Sequence, residues 1–318
     1  MSTDRITETL TRRTENSSRE LLARGFFFAC AILSIVTTIS IALLLINETL
    51  RFFSETAWLV NAKGEAYSII RFYTGKKWIP SRGEFGVLAP LTGTLMVTIE
   101  AALISIPLGV ATALYLSEYA SQRTRSVLKP ALEILAGVPT VIYGFFALIY
   151  ITPALSNFVQ LQFFNVLSAG IVVGIMIIPM VASISEDAMS AVPDELRQAG
   201  YGMGATKFDV SVGIVVPAAL SGIFSSFILA LSRAIGETMA VTIAAGSSAQ
   251  FLNPLNLTAY TLPNMPMTAA IIQSLTGDFT GGGMAYRSAF ALGFSLFVIT
   301  LVMNIVSDLI AEHYREEY

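Results

Sequence analysis

The chain has 318 residues, 54% of them hydrophobic and only 13% charged, with a net charge of −3 and a mean hydropathy of +0.68. Soluble domains carry roughly 25% charged residues, so the composition excludes an ordinary soluble protein and points to several apolar spans of about 20 residues each. The weak negative charge argues against a nucleic-acid partner. One cysteine, Cys30, and one histidine, His313, leave no disulfide framework, no histidine metal centre and no Ser-His-Asp set.

In chain order, residues 1–25 are polar, with Arg5, Arg12, Arg13, Arg19 and Arg24 among four acids, and read as a cytoplasmic tail. Residues 26–46 carry no charge and are long enough for a helix of about 31 Å. A cleaved signal peptide is the rival reading, but the run is longer than a signal core and no small-residue cleavage site comes after it, so a retained first span is expected. Residues 47–89 are mixed and read as an extracytoplasmic loop, whose Trp58 and Trp78 suit a membrane interface.

Residues 90–311 form the membrane domain. A second span, 91–116, is expected to be interrupted by Glu100 and by Pro107-Leu-Gly109. After a polar loop (121–131), a third span over 132–152 is broken by Gly137, Pro139 and Gly144. The fourth covers 167–185. The fifth, 217–245, holds Arg233 and Glu237 near its middle. Residues 246–285 contain no Lys or Arg, with one or two helical turns expected over 268–275; a sixth span, 289–310, and a tail, 312–318, end the chain.

Between the fourth and fifth spans lies a polar island, 191–217. Pro193 followed by Asp194 and Glu195 is a helix start, because Pro fits the first turn and acids suit the positive end of the dipole. Gly202 and Gly204 can end that helix, and Thr206-Lys-Phe-Asp209 is a capping box for a second one. The expectation is two short helices joined by a glycine elbow, a folded knob on which something docks. With the N-terminus inside, the inner segments hold eleven basic residues and the outer ones seven. That bias places both termini and the elbow in the cytoplasm.

Three intramembrane charges stand out. Charges at the bilayer centre cost about 2.5–3.5 kcal/mol on insertion scales, so Arg233 and Glu237 need a bundle interior or a wet cavity. Four residues apart on one continuous helix, they would share a face. The functional reading is an Arg placed to meet an anion, its forked donors matching tetrahedral oxygens, with Glu237 orienting it; the alternative is an ion pair that only fixes packing. Glu100 is the third, either a paired or neutral structural carboxyl or a cavity group. Thr140 and Tyr143 flank the Pro139 break and could offer hydroxyls to an anion, although core packing explains both.

Gln198-Ala199-Gly200, then Gly204, then Ile214, Val216 and Pro217 at their spacings, resembles the Glu-Ala-Ala signature of ABC-importer permeases, with Gln, Gly and Val replacing three signature residues. Ser232-Arg233-Ala-Ile-Gly236-Glu237-Thr-Met-Ala-Val241 resembles the PstC-type permease subunit of the high-affinity phosphate importer, as do Glu133-Ile-Leu-Ala-Gly-Val-Pro-Thr-Val-Ile-Tyr-Gly144 and Leu116-Ser-Glu-Tyr119. The resemblance covers about residues 80–310. It implies an all-α, six-helix, MetI-like type I importer permease whose elbow seats in a cytoplasmic ATPase. It also implies phosphate translocation roles for Arg233 and Glu237. The implied partners are a PstA-type permease subunit, a PstB-type ATPase dimer that binds ATP and Mg, a PstS-type extracytoplasmic phosphate-binding protein and membrane lipid. With neither a Walker A pattern nor a dinucleotide fingerprint, the chain is expected to hold no cofactor and no catalytic site of its own. A permease for another oxyanion or small solute, an anion channel subunit and a membrane scaffold without flux are the alternatives.

Overall fold

The computed structural model describes residues 18–56, 69–276 and 283–313; Trp58 and most of the two terminal tails lie outside them. Helix α1 is Ser18–Thr56. At 1.5 Å per residue its 39 residues reach about 58 Å, roughly twice the thickness of a hydrocarbon core. The charges at Glu48, Arg51 and Glu55 end the apolar run without ending the helix. Glu48 and Arg51 pair one turn apart, and no Gly or Pro intervenes. The helix therefore runs ten residues into the segment, from 47, that was expected to be a loop.

Residues 69–85 are ordered too. A short helix α2 (Ile69–Thr74) leads into a hairpin of β1 (Trp78–Ile79) and β2 (Glu84–Phe85), paired antiparallel around Gly83, whose φ is 70°. Trp78 faces the protein interior. Its ring is buried with Phe52, Phe72 and Phe85, in edge-on contacts with ring centres 5.2–6.4 Å apart. This aromatic knot fastens the hairpin to the far end of α1. There Arg287 bonds Glu55 and lies 3.8 Å from Glu48.

Helix α3 (Leu88–Leu114) and helix α6 (Val166–Ser190) form the most extensive helix pair and the axis of the bundle. Neither Glu100 nor Pro107 interrupts α3. Pro107 removes one hydrogen bond, which a helix held along its length by a neighbour tolerates. The two helices approach closely because small residues line the seam. A methyl group on Gly109 would sit 2.6 Å from the Val181 side chain, and one on Gly174 would meet Ile104 at 3.0 Å. Gly109→Leu is therefore expected to destabilise the fold by about 1–3 kcal/mol through overpacking. The check is the thermal unfolding midpoint in detergent, and an unchanged midpoint would mean the seam is looser than drawn.

The third span is bent more sharply than expected. Helix α4 (Gln122–Ala136), capped by Ser121 accepting from the Thr124 N–H at 3.2 Å, occupies the supposed polar loop. Gly137 and Pro139 then turn the chain by 87° into α5 (Thr140–Ser156). The expected break at Gly144 is absent, because that glycine is where Ala240 and Ile243 pack against the helix.

The elbow takes the form its local signals predict. Helix α7 (Asp194–Gly202) starts behind Pro193, and Gly204 turns the chain with φ 87°. Thr206 and Asp209 form the capping box of α8 (Lys207–Ala218). Two donors from Thr206 hold the Asp209 carboxyl below its ordinary 3.8. A depressed acid contributes stability above its unfolded pKa and loses it as pH falls, so the box is intact at any physiological pH. The chain bends 69° into α9 (Leu220–Gly236). Glu237 is extended, and α10 (Met239–Ala244) starts afresh, so the fifth span is broken where it was expected to be continuous.

Helix α11 (Met267–Thr276) fills the segment where one or two turns were expected. About 15 Å long, it dips into the bundle and is tied to α3 by the Met267 N–H donating to Thr94 Oγ1 at 2.8 Å. Helix α12 (Met284–His313) closes the chain. Among the described residues four helices are long and apolar enough to cross a membrane alone, and the spans number up to six if each bent pair is one.

Candidate functional site

Most of the candidate functional residues gather in two places. The first is a cavity of about 420 Å³ between α4, α6 and the end of α9. Its wall includes Arg233, Lys129, Glu133, Glu186, Met176 and Met180. Arg233 stands on the last turn of α9 with its side chain 45% exposed, while the Glu237 side chain is 3% exposed. Their closest N–O distance is 3.9 Å, too long for a hydrogen bond.

The break after Gly236 explains this spacing. Glu237 has left the helix, so the two do not share one helical face. Its Oε1 instead accepts the Ala240 N–H at 3.2 Å, capping α10 at the positive end of that helix. Its carbonyl accepts from Thr268 Oγ1 at 2.8 Å. The carboxylate is thus held by α10, and the guanidinium keeps donors turned to the cavity. Ser232 Oγ, bonded to Asn304 Oδ1 at 2.8 Å, fixes this turn against α12.

Sequence reading missed the other charges here. Glu186, fully buried, accepts from Arg125, from Lys129 at 2.7 Å and from Ser190 at 3.0 Å; Lys129 also reaches Asp187 at 2.8 Å. This network locks α4 to α6 and so shapes one wall of the cavity. Its signal was available: Arg125 and Lys129 lie four apart on one helix face, and Glu186-Asp187 ends an otherwise apolar run. Glu186→Ala is expected to destabilise by about 1–3 kcal/mol, below the full value for a buried pair because both cations are about one-third exposed. Asp187→Ala, at a side chain 65% exposed, should change the midpoint little. Equal effects would mean the burial of Glu186 is not what matters.

Three candidate anion groups lie elsewhere. Glu100 is buried at the α3–α6 seam against Gly170 and is not part of the cavity wall. Tyr143 is buried and donates its hydroxyl to Leu135 O at 2.8 Å, bridging the Pro139 bend. Thr140 begins α5, half-buried, and also lies outside that wall.

The second place is the elbow. Gly200 is buried where a methyl group would meet Ile214 at 2.6 Å and Val210 at 2.9 Å, so α7 folds tightly on α8. Gln198 and Ala199 face outward, and Pro217 is exposed just before the bend. Met203 and Phe208 are 82% and 64% exposed beside them. Arg197 points the other way. It pairs at 3.0 Å with Glu118, one turn beyond the end of α3, and bonds the carbonyls of Met189 and Val192 at 2.8 and 2.5 Å. The elbow therefore shows Met203 and Phe208 outside among exposed polar residues, and is bolted inside to both axial helices.

The chain matches the model of the binding-protein-dependent transport system inner membrane component over residues 105–316. It is 33% identical to the phosphate transport system permease protein PstC of Xylella fastidiosa, over 76% of this chain and 78% of that protein. The chain belongs to this permease family, in its PstC branch. The fold agrees. A bacterial ABC transporter involved in the import of alginate matches with TM-score 0.63 at 14% identity, over 94% of this chain and 97% of its own. The MetNI methionine ABC transporter matches at 0.54 with 16% identity, over 73% and 95%. In this PstC-type permease the cavity wall displays Arg233 and Lys129, and the elbow displays Met203 and Phe208.

Proposed function

We propose that this PstC-type permease is a subunit of an ATP-driven importer of inorganic phosphate. The observation that carries the reading is Arg233, displayed at the wall of a 420 Å³ cavity beyond hydrogen-bond reach of its own carboxylate neighbour. An arginine so placed can bind and release an oxyanion with both forks.

Phosphate enters from the side of the hairpin, opposite the elbow, after delivery by an extracytoplasmic binding protein of the PstS type. The cavity is completed by a PstA-type subunit. An ATPase dimer of the PstB type seats on Gln198, Ala199 and the flanking Met203 and Phe208, and binds the ATP and Mg; this chain holds no cofactor and contributes no catalytic group. Closure of the ATPases pulls the elbow, and Arg197 passes the motion to α3 and α6 through Glu118 and the end of α6. Both termini are cytoplasmic, as the basic-residue bias requires.

The test is uptake of labelled phosphate by proteoliposomes containing the whole complex. Uptake should require enclosed ATP and compete with arsenate far better than with sulfate. Flux that persists without ATP would make the chain part of a channel, and competition by sulfate alone would reassign the cargo.

A further inference from the structure

Two carboxylates line the Arg233 cavity, Glu186 and Glu133. Glu186 is fully buried and takes donors from Arg125, Lys129 and Ser190. Glu133 is exposed, and among the described residues no hydrogen bond or ion pair reaches its carboxylate. Lys129, one turn earlier on the same face of α4, is committed to Glu186 and Asp187. The helix gains nothing from this acid either. Glu133 stands in the last turn of α4, where the dipole is negative and disfavours a carboxylate.

A free carboxylate beside an anion's path is unfavourable unless the anion brings a proton to it. Inorganic phosphate does so at neutral pH, where it keeps at least one P–O–H group. Sulfate is fully ionised there and keeps none. An ionised carboxylate accepts hydrogen bonds and donates none, so it can take the phosphate hydroxyl in a charge-assisted bond, the stronger kind. Toward sulfate the same group is only repulsive. A cavity of about 420 Å³, taken as round, spans about one Debye length, roughly 8–10 Å in physiological salt, so a dianion held at Arg233 feels Glu133 with little screening. Discrimination of this kind comes from a clash set against the wrong ligand as much as from contacts to the right one. A site made to bond a substrate hydroxyl also rejects the analogue that lacks it.

We propose that Glu133 is the selectivity group of the Arg233 cavity: Arg233 meets the charge of an oxyanion, while Glu133 accepts the hydroxyl that phosphate keeps and turns sulfate away. The proposal rests on the import reading above and deepens it.

The experiment uses the nucleotide-free complex of permease subunits and ATPase, purified without the soluble binding protein, so that the selectivity read is the cavity's own. Labelled inorganic phosphate is bound at equilibrium and displaced by unlabelled sulfate. Glu133→Gln keeps the length and an acceptor oxygen, removes the charge and adds an N–H donor that sulfate can use. Sulfate should then displace phosphate at about one-tenth of the concentration needed in the unaltered complex, or less. Asp187→Asn removes an equal charge that lies outside the cavity wall and should leave sulfate competition where it was. Equal competition in the Glu133→Gln and unaltered complexes overturns the proposal. So does an equal gain in Asp187→Asn, which would make the effect one of overall charge. Uptake by the unaltered complex is read separately. If it imports phosphate while Glu133→Gln changes nothing, the selectivity role falls and the import reading stands. If it imports none while sulfate competition depends on Glu133, the reading falls and the selectivity role stands.

Discussion

Arg233→Gln is expected to reduce phosphate uptake by one to two orders of magnitude while leaving the complex assembled. A charge-assisted contact to an oxyanion contributes about 1.5–3 kcal/mol, and at about 1.4 kcal/mol per tenfold that is a loss of roughly 10- to 150-fold. The fold should survive for a reason visible at the break after Gly236. Glu237 does not depend on Arg233, since its Oε1 caps α10 through the Ala240 N–H at 3.2 Å. Removing the cation leaves that carboxylate at a helix N-terminus, not stranded. Glu237→Gln should be milder, because an amide oxygen still caps Ala240 and only the orienting contact at 3.9 Å is lost. Measured by initial uptake rate and co-purification of all subunits, normal transport in Arg233→Gln would remove this residue from the pathway. Equal losses in both variants would return the pair to a purely structural ion bridge.

The elbow should separate docking from transmission. Met203→Asp with Phe208→Asp changes two side chains that are 82% and 64% exposed and so costs this chain little. In an ATPase interface each apolar side chain is worth about 1.5–3 kcal/mol of burial, and placing carboxylates there should release the ATPase from detergent extracts. Deleting residues 198–204 should do the same more coarsely. Arg197→Ala is expected to behave oppositely. Its losses are internal, to Glu118 at 3.0 Å and to the Met189 and Val192 carbonyls, so the ATPase should stay bound and hydrolyse ATP with uptake uncoupled. Unchanged co-purification of the double aspartate variant would refute the docking surface. Full uptake by Arg197→Ala would show that motion reaches the bundle by another route.

The elbow was the most legible part of the chain because every signal in it is local. Pro193 before two acids, the Thr206–Asp209 box and Gly204 each act within four residues through backbone geometry, and α7 and α8 form where those signals place them. The spans were legible for a similar reason, since apolar length alone decides what can cross a bilayer. Errors came where a local cue was overridden from outside. Glu100 and Pro107 look like interruptions, but α6 holds α3 straight. The charges after residue 46 look like the end of a span, but the helix continues to Thr56 as a post for Phe52 and Arg287.

By itself the sequence determined the membrane class, the apolar runs, the elbow with its caps, and Arg233 as the charge that demands an explanation. Composition and short-range spacing carry all of these. Only the tertiary structure decided which charges meet. It set Glu237 apart from Arg233 by breaking the helix between them, brought Arg125 and Lys129 across some 60 positions to Glu186, and buried Trp78 against Phe72 and Phe85. Those arrangements depend on how close α3 and α6 come and where the chain bends at Pro139 and Glu237. They are long-range packing outcomes, and no pattern within one helix encodes them.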